Sequence, residues 1–360
     1  MDKKVVVAMS GGVDSSVAAA LLKKQGYQVT GITLRLYTPG SCRSLRRSCL
    51  QGLEDAARVS KKLAIRHYFL DLRREFKEKV ISDFCLQYLK GRTPNPCVRC
   101  NQYIKFGILL DKASEFGASF LATGHYARII KRKGPKSLKQ EFLLKKAKDP
   151  AKDQSYFLYR LKQEKLKKII FPLGDYTKTE VREIARDLGL SVADKSDSQE
   201  VCFLADTDYR GFLKAHSNRY IKPGLIVDTD GKVLGRHKGI AFYTVGQRQG
   251  LGIALGYPAY ITEIDPVHNR ITVGRKQDTY KQGFWVRDPS FILAKINKKI
   301  AANVRIRYNH REARAVIEPE ASRIKVVFKQ PQFAITPGQS AVFYCRDVVL
   351  GGGIIDNVMG

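Results

Sequence analysis

The stretch from Val5 to Ser16, V-V-V-A-M-S-G-G-V-D-S-S, limits the fold of this chain more than any other. A β-branched run that ends at a glycine pair predicts a buried strand and a tight turn, because glycine has no Cβ to keep the backbone away from a ligand. The stretch from Ser15 to Lys24 predicts a helix. Its first N–H groups would face the turn, where an anion meets unpaired donors and the positive end of the helix dipole. The segment therefore predicts a nucleotide phosphate site.

The loop is not a Walker A loop, because the spacing G-x-x-x-x-G-K-[ST] is missing. The run S-G-G-x-D-S-S instead resembles the signature of the ATP pyrophosphatases, which cleave ATP between the α- and β-phosphates and attach AMP to a carbonyl oxygen. The resemblance implies ATP with Mg²⁺ as cofactor and adenylation as the activating step. An ordinary Gly-Gly turn is the alternative, and the Asp-Ser-Ser that follows the glycines argues against it.

Short apolar strands and helical patterns alternate in the first half of the chain, which predicts an α/β fold with a doubly wound parallel sheet. The predicted strands are Val5–Met9, Gln28–Leu36, Arg66–Leu70 and Ser119–Thr123, and the predicted helices are Ser15–Gln25, Leu53–Leu63, Arg74–Lys90 and Tyr103–Phe116. Ligands of such sheets bind beyond the carboxyl ends of the strands. We therefore expect one pocket there.

A chain of 360 residues is long enough for two or three domains. We predict three: an adenylating α/β domain over residues 1–205, a small, mainly β domain over 206–275, and an antiparallel β-barrel over 276–360. Glycine-punctuated short strands mark the second region, and alternating polar and apolar runs mark the third.

The net charge of +30, from 64 basic and 34 acidic residues, favours a polyanionic partner such as nucleic acid. A generally basic proteome or a need for solubility is the alternative. The stretch from Lys131 to Asp153 carries nine Lys or Arg residues against three acids, and predicts a basic hairpin able to follow phosphates.

No run approaches the length of a transmembrane helix and no signal-peptide pattern opens the chain, so we expect a cytoplasmic protein without membrane partners. Seven cysteines in a chain this long are not a disulfide framework, and clustered cysteines then indicate catalysis or metal binding.

One cluster is the C-x-x-C formed by Cys97 and Cys100, which follows two prolines. Because Cys100 precedes a helix predicted from Tyr103 and lies near Arg99 and Lys105, its thiol is predicted to have a lowered pKa. Half of a structural zinc site or two buried cysteines are the alternatives, although a four-cysteine zinc site needs a second C-x-x-C, which is missing.

Several further motifs occur in order along the whole chain. They are T-P-N-P at residues 93–96, G-H-Y at 124–126, K-D-Q-S-Y-F-L at 152–158, C-F at 202–203, G-Q-R at 246–248 and P-G-Q-S-A-V-F-Y at 337–344. Together with the N-terminal loop they resemble the tRNA-specific 2-thiouridylases, the MnmA family.

The resemblance implies sulfur insertion at position 2 of the wobble uridine of tRNA. ATP would adenylate the C2 oxygen, which makes it a good leaving group. Cys202 would carry a persulfide loaded by a cysteine desulfurase or a sulfur relay protein. Cys100 would be the nucleophile that helps to release the sulfur or attacks the activated base, and a Cys100–Cys202 disulfide would remain after turnover.

The resemblance also assigns binding residues. For ATP they are Ala8, Met9, Ser10, Gly11, Gly12, Val13, Asp14, Ser15, Leu34 and Gly124. For the flipped-out target base they are Asn95, Pro96 and Cys97, and for the rest of the tRNA His125, Lys152, Asp153, Gln154, Arg307, Tyr308 and Gln339. For Arg307 and Tyr308, the alternative that they are ordinary solvated surface side chains is as well supported as a contact with tRNA.

The chain departs from the family at Cys97, where many members carry aspartate. Any acid or base role of that aspartate is therefore in doubt here. Cys97, Cys100 and Cys202 would alternatively hold an iron–sulfur cluster with one open iron, which could bind the transferred sulfur. Cys85 and Cys345 are interpreted as core residues. Cys42 and Cys49 have no assigned role.

Two other functions compete. Lysidine synthetase, GMP synthetase and argininosuccinate synthetase share the loop, but their chemistry needs no paired cysteines. An RNA-binding module with a zinc or cluster site and an inactive loop is the second alternative, and it would retain tRNA without releasing AMP.

Overall fold

The fold is described from a computed structural model, which covers residues 3–38, 43–134, 140–196, 201–204, 208–217, 220–293 and 296–359, with residues 43–49 as backbone only. The chain forms two compact units that interleave in sequence. The first unit comprises residues 1–80, 97–206 and 347–349, and the second comprises 81–96, 207–346 and 350–360. The two later predicted domains thus belong to one compact unit, and the predicted boundaries stay predictions.

The described residues contain these elements in chain order. The strands are β1 (Lys4–Ala8), β2 (Gln28–Arg35), β3 (Arg66–Asp71), β4 (Phe120–Thr123), β5 (Ala127–Lys133), β6 (Gln140–Lys146), β7 (Ile169–Ile170), β8 (Gly224–Val227), β9 (Val233–His237), β10 (Tyr260–Asp265), β11 (Arg270–Gly274), β12 (Tyr280–Phe291), β13 (Ile300–Arg305), β14 (Ala313–Glu320), β15 (Arg323–Phe333), β16 (Ser340–Cys345) and β17 (Val348–Val358). The α-helices are α1 (Val13–Lys24), α2 (Arg43–Lys62), α3 (Arg73–Phe76), α4 (Ser82–Leu89), α5 (Pro96–Arg99), α6 (Leu109–Glu115), α7 (Gln163–Leu166), α8 (Lys178–Asp187) and α9 (Tyr209–Ser217). Stretches of π-helix, Lys77–Ile81 and Cys100–Ile108, connect α3 to α4 and α5 to α6.

The first unit is built on a five-stranded parallel sheet in the order β3, β2, β1, β4, β7, which confirms the predicted α/β class. Val5, Val6 and Val7 on the central strand are fully buried, as their β-branched run predicts. Val5 and Val7 belong to a core cluster that includes Val17 of α1 and Val181 of α8, so this core fixes both helices on the sheet.

Two helices begin at least seven residues earlier than the sequence patterns predict. The helix predicted from Leu53 begins at Arg43, and the one predicted from Tyr103 begins at Pro96. Proline lacks the N–H that the first turn of a helix leaves unpaired, so Pro96 begins a helix without losing a hydrogen bond. Both cysteines of the C-x-x-C are therefore helical.

The basic hairpin is present. β5 and β6 pair antiparallel from Ala127 with Lys146 to Lys133 with Gln140, and the tip at 135–139 lies outside the described residues. Within the same unit, Arg128 and Lys145 both pair with Asp347, whose carboxylate lies 3.4 and 2.8 Å from them. One carboxylate thus holds the base of the hairpin.

The second unit contains a mixed sheet in the order β10, β11, β8, β9, and an antiparallel barrel in the order β12, β15, β14, β13, β16, β17. β17 pairs with β12, so the barrel is closed and has no free edge. Phe284, Phe328 and Phe343 fill its interior. This confirms the predicted small β module and C-terminal barrel. Among the described helices, none has the length and apolar character needed to cross a bilayer.

Candidate active site

Serine hydroxyls form hydrogen bonds between the loop after β1 and the start of α1. The Ser10 N–H donates to Oγ of Ser15 at 3.1 Å, and the hydroxyls of Ser15 and Ser16 donate to the Gly12 carbonyl at 3.2 and 2.9 Å. Gly12 caps the helix without a side chain. No side chain of the cap residue thus occupies the N-terminal N–H groups of α1, which suits a phosphate.

Two glycines of the site are required by close backbone contacts. A Cβ on Gly11, whose φ is +74°, would lie 2.0 Å from the carbonyl oxygen of Gly52 in α2. A Cβ on Gly124 would lie 2.7 Å from the Ser15 nitrogen. β4 pairs with β1 so that Thr123 faces Ala8, which places Gly124 against the loop. Residues Ala8–Ser15 and Gly124, predicted to bind ATP, thus lie together.

The other predicted ATP residue, Leu34, is the penultimate residue of β2 and is half-buried. β2 pairs with β1 in parallel, with Ala8 opposite Ile32. Leu34 is therefore at the carboxyl edge of the sheet, on the strand beside the loop.

The carboxylate of Asp14 is bound by two residues that the sequence analysis missed. Lys178 places its ammonium 2.7 and 2.9 Å from the two carboxylate oxygens, and the Tyr126 hydroxyl donates to Oδ1 at 2.8 Å. Lys178 is the first residue of α8, which Thr177 and Glu180 begin with a capping box. The spacing T-x-x-E before an apolar run is the sequence signal that could have located this helix start.

A second lysine, Lys195, holds the other side of the loop. Its ammonium donates to the Gly11 carbonyl at 3.0 Å and to Oδ2 of Asp55 on α2 at 2.7 Å. Asp55 is buried, yet its pKa is lowered. Burial alone would raise it, and hydrogen bonds from Lys195 and Gln51 together with the charges of Lys195 and Arg58 outweigh that effect. No local pattern marks Lys195, because it lies 184 positions from Gly11.

The thiols of the C-x-x-C are not acidified. Burial raises the pKa of Cys100 to about 11, the charge of Lys105 opposes this only in part, and nearby Cys97 raises it further. Burial also raises the pKa of Cys97. The predicted lowering of the Cys100 pKa is therefore wrong for this structure, because the helix begins at Pro96 and Cys100 lies within it, buried.

The residue after Cys100 connects this helix to the K-D-Q-S-Y-F-L motif. Asn101 is buried, and its side-chain amide nitrogen donates to the Phe157 carbonyl at 3.2 Å. That hydrogen bond orients the amide, and its Oδ1 atom has no hydrogen-bond partner among the described residues. Two motifs distant in sequence are thereby fixed to each other.

Cys202 is exposed, whereas Phe203 beside it is buried. The Phe203 ring packs 6.4 Å from that of Tyr37, three residues beyond Leu34, and 5.7 Å from that of Phe76. The phenylalanine thus anchors an exposed thiol on the first unit.

The described cysteines form neither a disulfide nor a metal site. Cys85, Cys97, Cys100, Cys202 and Cys345 are all reduced. Among the described side chains, no three His, Cys, Asp or Glu are placed to hold a metal ion, so the predicted cluster ligands do not come together in this conformation. Cys85 is buried as expected, but Cys345 is exposed, because it ends β16 at a turn. Cys42 and the side chain of Cys49 lie outside the described residues.

Two predicted tRNA contacts are buried. His125 accepts or donates a 2.7 Å hydrogen bond with Thr123 and packs against the rings of Phe106 and Phe171. Burial and the charge of Lys105 hold its pKa well below the usual value, so the imidazole is neutral. Asp153 is 3% exposed. Its carboxylate accepts hydrogen bonds that shape its own loop.

The neighbours of Asp153 are more accessible. Lys152 and Gln154 are half-buried. The Gln154 side-chain oxygen accepts the Tyr126 N–H at 3.0 Å, and Tyr126 also contacts Asp14. The K-D-Q motif is therefore connected to the ATP loop through one tyrosine.

The remaining predicted contacts lie in the second unit. The Thr93 N–H donates to the Pro337 carbonyl at 2.9 Å, and the Gln339 side chain donates to the Thr93 carbonyl at 3.0 Å. Gln339 thus holds the segment that carries Asn95 and Pro96. Arg307 and Tyr308 are half-buried in the same unit, and Arg307 donates to the Phe333 carbonyl at 3.1 Å.

Three family models match the chain. One described as a tRNA methyl transferase HUP domain matches residues 3–206, and one described as a tRNA methyl transferase PRC-barrel domain matches 210–275. An aminomethyltransferase β-barrel domain matches 281–355.

Similar proteins match over nearly the whole length. A protein named tRNA-specific 2-thiouridylase MnmA 1 from Caldanaerobacter subterraneus subsp. tengcongensis is 48% identical, over 99% of this chain and 98% of its own. Proteins named tRNA-specific 2-thiouridylase MnmA from Clostridioides difficile and Acetivibrio thermocellus are 46% and 47% identical, over 99% of their own lengths and 99% and 98% of this chain.

The parallel sheet with its glycine loop and the two β modules define the class, a HUP-domain protein followed by a PRC-barrel and a β-barrel. Within that class, the chain belongs to the MnmA family of tRNA-specific 2-thiouridylases.

Proposed function

We propose that this protein is a tRNA-uridine 2-sulfurtransferase that uses ATP and a cysteine persulfide to convert the wobble uridine of tRNA to 2-thiouridine. The observation that supports this most is the presence in one compact unit of a glycine loop at the start of α1 and two distinct thiols, Cys100 buried on a helix and Cys202 exposed. Family membership supplies the substrate class.

The first step is adenylation. Mg²⁺–ATP binds at Ala8–Ser15, Leu34 and Gly124, with its phosphates on the N–H groups of the loop and of α1. The C2 oxygen of uridine attacks the α-phosphorus, pyrophosphate leaves, and the oxygen becomes part of an AMP leaving group. Asp14 is the carboxylate of the loop, and carboxylate oxygens are the ligands that Mg²⁺ prefers. To bind the ion, Asp14 would have to exchange its contacts with Lys178 and Tyr126.

The second step moves sulfur. The terminal sulfur of a Cys202 persulfide attacks C2 and AMP departs. The Cys100 thiolate then attacks the Cys202 sulfur, which breaks the S–S bond, leaves sulfur on C2 and forms a Cys100–Cys202 disulfide. If Cys100 attacks first, it releases hydrosulfide as the nucleophile and leaves the same disulfide. A two-electron dithiol reductant resets the enzyme, and a cysteine desulfurase or relay protein reloads Cys202.

A pKa of about 11 means that Cys100 waits as a thiol. Its proton must leave before it attacks, so only a small fraction of Cys100 is reactive near neutral pH. Premature attack on the Cys202 persulfide is thereby suppressed. The proposal contains no step through an iron–sulfur cluster, because Cys97, Cys100 and Cys202 do not form a ligand set in the described conformation.

The tRNA is bound through charge and through the predicted contacts. Asn95, Pro96 and Cys97 lie at the target base, and Lys152, Gln154, Arg307, Tyr308 and Gln339 contact the remainder. We propose that His125 and Asp153, being buried, act by shaping the loop that presents Lys152 and Gln154.

The test incubates the protein with ATP, unmodified tRNA and a persulfide donor, and measures 2-thiouridine and AMP by mass spectrometry. The Cys202→Ser variant should release pyrophosphate, assayed in parallel, at a normal rate in the first turnover, but with no sulfur to attack C2 it should leave AMP on the tRNA and form no 2-thiouridine. The Cys345→Ser variant, which removes another exposed thiol, should behave as the unchanged protein. Product without ATP, or full product from Cys202→Ser, would overturn the proposal.

A further inference from the structure

Lys105 lies one helical turn after Cys100, on the helix that continues from the C-x-x-C motif. Residues 100–108 form a π-helix, in which the hydrogen bond that closes each turn joins residues five positions apart. Cys100 and Lys105 have this spacing, so their side chains project from the same side of the helix. Lys105 is half-buried. Its ammonium is therefore close to the proposed nucleophile.

The same lysine is close to the ATP loop. Phe106, the next residue along the helix, is buried, and its ring lies 5.7 Å from that of His125. His125 follows Gly124, on which a Cβ would lie 2.7 Å from the Ser15 nitrogen. The helix that carries Lys105 thus packs against the turn that touches the start of α1. All of these residues belong to the first unit.

The charge of Lys105 acts on groups in both parts of the site. Burial raises the pKa of Cys97 and of Cys100 and lowers that of His125, and in each case the lysine acts to lower the pKa. This electrostatic effect agrees with the position that the helix spacing and the ring contact give. One cation is therefore placed near both the thiols and the turn beside the ATP loop.

Within the part of the chain that the structure describes, Lys105 has no counter-ion and its ammonium donates no hydrogen bond. The two lysines at the ATP loop differ in this respect. The ammonium of Lys178 is 2.7 Å from a carboxylate oxygen of Asp14, and that of Lys195 is 2.7 Å from one of Asp55. An anion that reaches Lys105 therefore gains a charge-assisted hydrogen bond without displacing a described partner.

The proposed reaction brings such an anion to this place. ATP is bound at the loop, and the target base must reach Cys100, so the α-phosphate that joins base and nucleotide lies between the loop and the C-x-x-C helix. As the C2 oxygen attacks, the bond from this oxygen to the α-phosphorus forms and the bond to pyrophosphate breaks. Negative charge collects on the non-bridging α oxygens, and it increases again when AMP departs.

We propose that Lys105 is a catalytic residue that binds the α-phosphate during adenylation and again as AMP leaves. This rests on the proposed function, because it requires an adenylated uridine. Lys105 forms no covalent bond and supplies a fixed positive charge where negative charge develops. While the phosphate occupies the ammonium, Cys100 lacks the charge that favours its thiolate, and it regains that charge once AMP has left. The lysine thus delays the attack by Cys100 until sulfur is on C2.

The experiment measures pyrophosphate release in single turnovers with Mg²⁺–ATP and unmodified tRNA. Lys105→Gln should slow this step by about 100-fold or more and change the dissociation constant of ATP by less than about threefold, because the charge is needed most in the transition state. Lys105→Arg keeps the charge and should recover at least about tenfold of the loss. The matched control is Lys112→Gln, which removes a lysine of α6 that pairs with Glu115, and its rate should not change.

A second readout separates contact with the phosphate from support of the helix. The two diastereomers of ATPαS carry sulfur in place of one or the other non-bridging α oxygen. The ratio of their rates should change by about tenfold or more in Lys105→Gln, because a charge-assisted hydrogen bond to one of these oxygens is lost. In Lys112→Gln the ratio should stay that of the unchanged protein. Thermal melting checks the fold, and Lys105→Met replaces Lys105→Gln if the latter melts early.

The outcomes distinguish the two proposals. If the unchanged protein releases no pyrophosphate with tRNA, the proposed function fails and the inference fails with it. If Lys105→Gln releases pyrophosphate at the normal rate, or slowly but with the diastereomer ratio of the unchanged protein, the inference alone is overturned. A loss confined to the dissociation constant of ATP would also overturn it.

Discussion

At the scale of single residues, the most consequential property is the protonation of Cys100. Burial raises its pKa above the ordinary value of 9.0, so the neutral thiol is the form that the folded protein favours. A group with a raised pKa contributes stability below the pKa of the unfolded chain. That contribution is lost as the pH rises through about 11.

This protonation state predicts a steep pH dependence. With a pKa of about 11, roughly one Cys100 in a thousand is a thiolate at pH 8, so its alkylation rate should rise about tenfold per pH unit from 8 to 10. Lys105→Gln removes the charge that lowers this pKa and should slow the reaction throughout. Lys112→Gln, whose ammonium pairs with Glu115 instead, should not. A plateau below pH 9 would contradict the assigned protonation.

At the scale of elements, the basic hairpin carries a prediction about tRNA. Lys131 and Lys133 are exposed on β5, whereas Arg132 between them is paired with Glu141. Replacing both lysines by glutamine should weaken tRNA binding and reduce the slope of log affinity against log salt by about one to two, because each phosphate contact releases about one counterion. Filter binding across a salt series measures this slope.

The control variant replaces Lys24 and Lys61, which are exposed in the last turns of α1 and α2. Those helix ends lie at the edge of the sheet opposite the ATP loop. Their replacement removes the same charge from the whole protein. An equal loss of slope in the control would mean that net charge, and not the hairpin, sets the affinity.

The elements also show which parts of the fold and of the site could be predicted from the sequence. The strand ends and the glycine loop were predictable, because β-branched runs and glycine pairs act over a few residues. The contacts of Lys178 and Lys195 with the loop were not, because the two lysines lie 164 and 184 positions from the residues that they bind. The capping box next to Lys178 indicates where α8 begins, but not what the lysine contacts. Nor was the burial of Cys100, since burial depends on the side chains that pack around the helix and not on the residues next to Cys100 in sequence. Local sequence patterns thus located the ATP loop, whereas the lysines that contact it are seen only in the tertiary structure.

At the scale of the whole molecule, the two units interleave in sequence, so no single cut of the chain separates one unit from the other. Residues 81–96 lie before the end of the first family match, yet they belong to the second unit. There the rings of Phe84 and Phe212 are 6.0 Å apart, and those of Tyr88 and Tyr209 are 4.9 Å apart. Cutting after residue 206 would separate each pair.

We therefore predict that a fragment of residues 1–206 is unstable. It should bind a hydrophobic dye and melt well below the full chain, because Phe84 and Tyr88 lose their partners and the hairpin loses Asp347. Replacing both aromatic residues by glutamine in the fragment should reduce dye binding without restoring the melting temperature. Calorimetry is the measurement, and cooperative melting at the temperature of the full chain would contradict the assignment of residues 81–96.

The same interleaving has a consequence for synthesis on the ribosome. Arg92 pairs with Asp356 across 264 positions, and Thr93 with Gln339 across 246. At about 5–20 residues per second, the nascent chain must wait roughly 12–50 s between making the first partner and the second. The first unit also needs residues 347–349, and the second needs 350–360. The first unit is complete only when residue 349 has emerged, and the second only when residues 350–360 have followed, so the growing chain needs protection from aggregation until then.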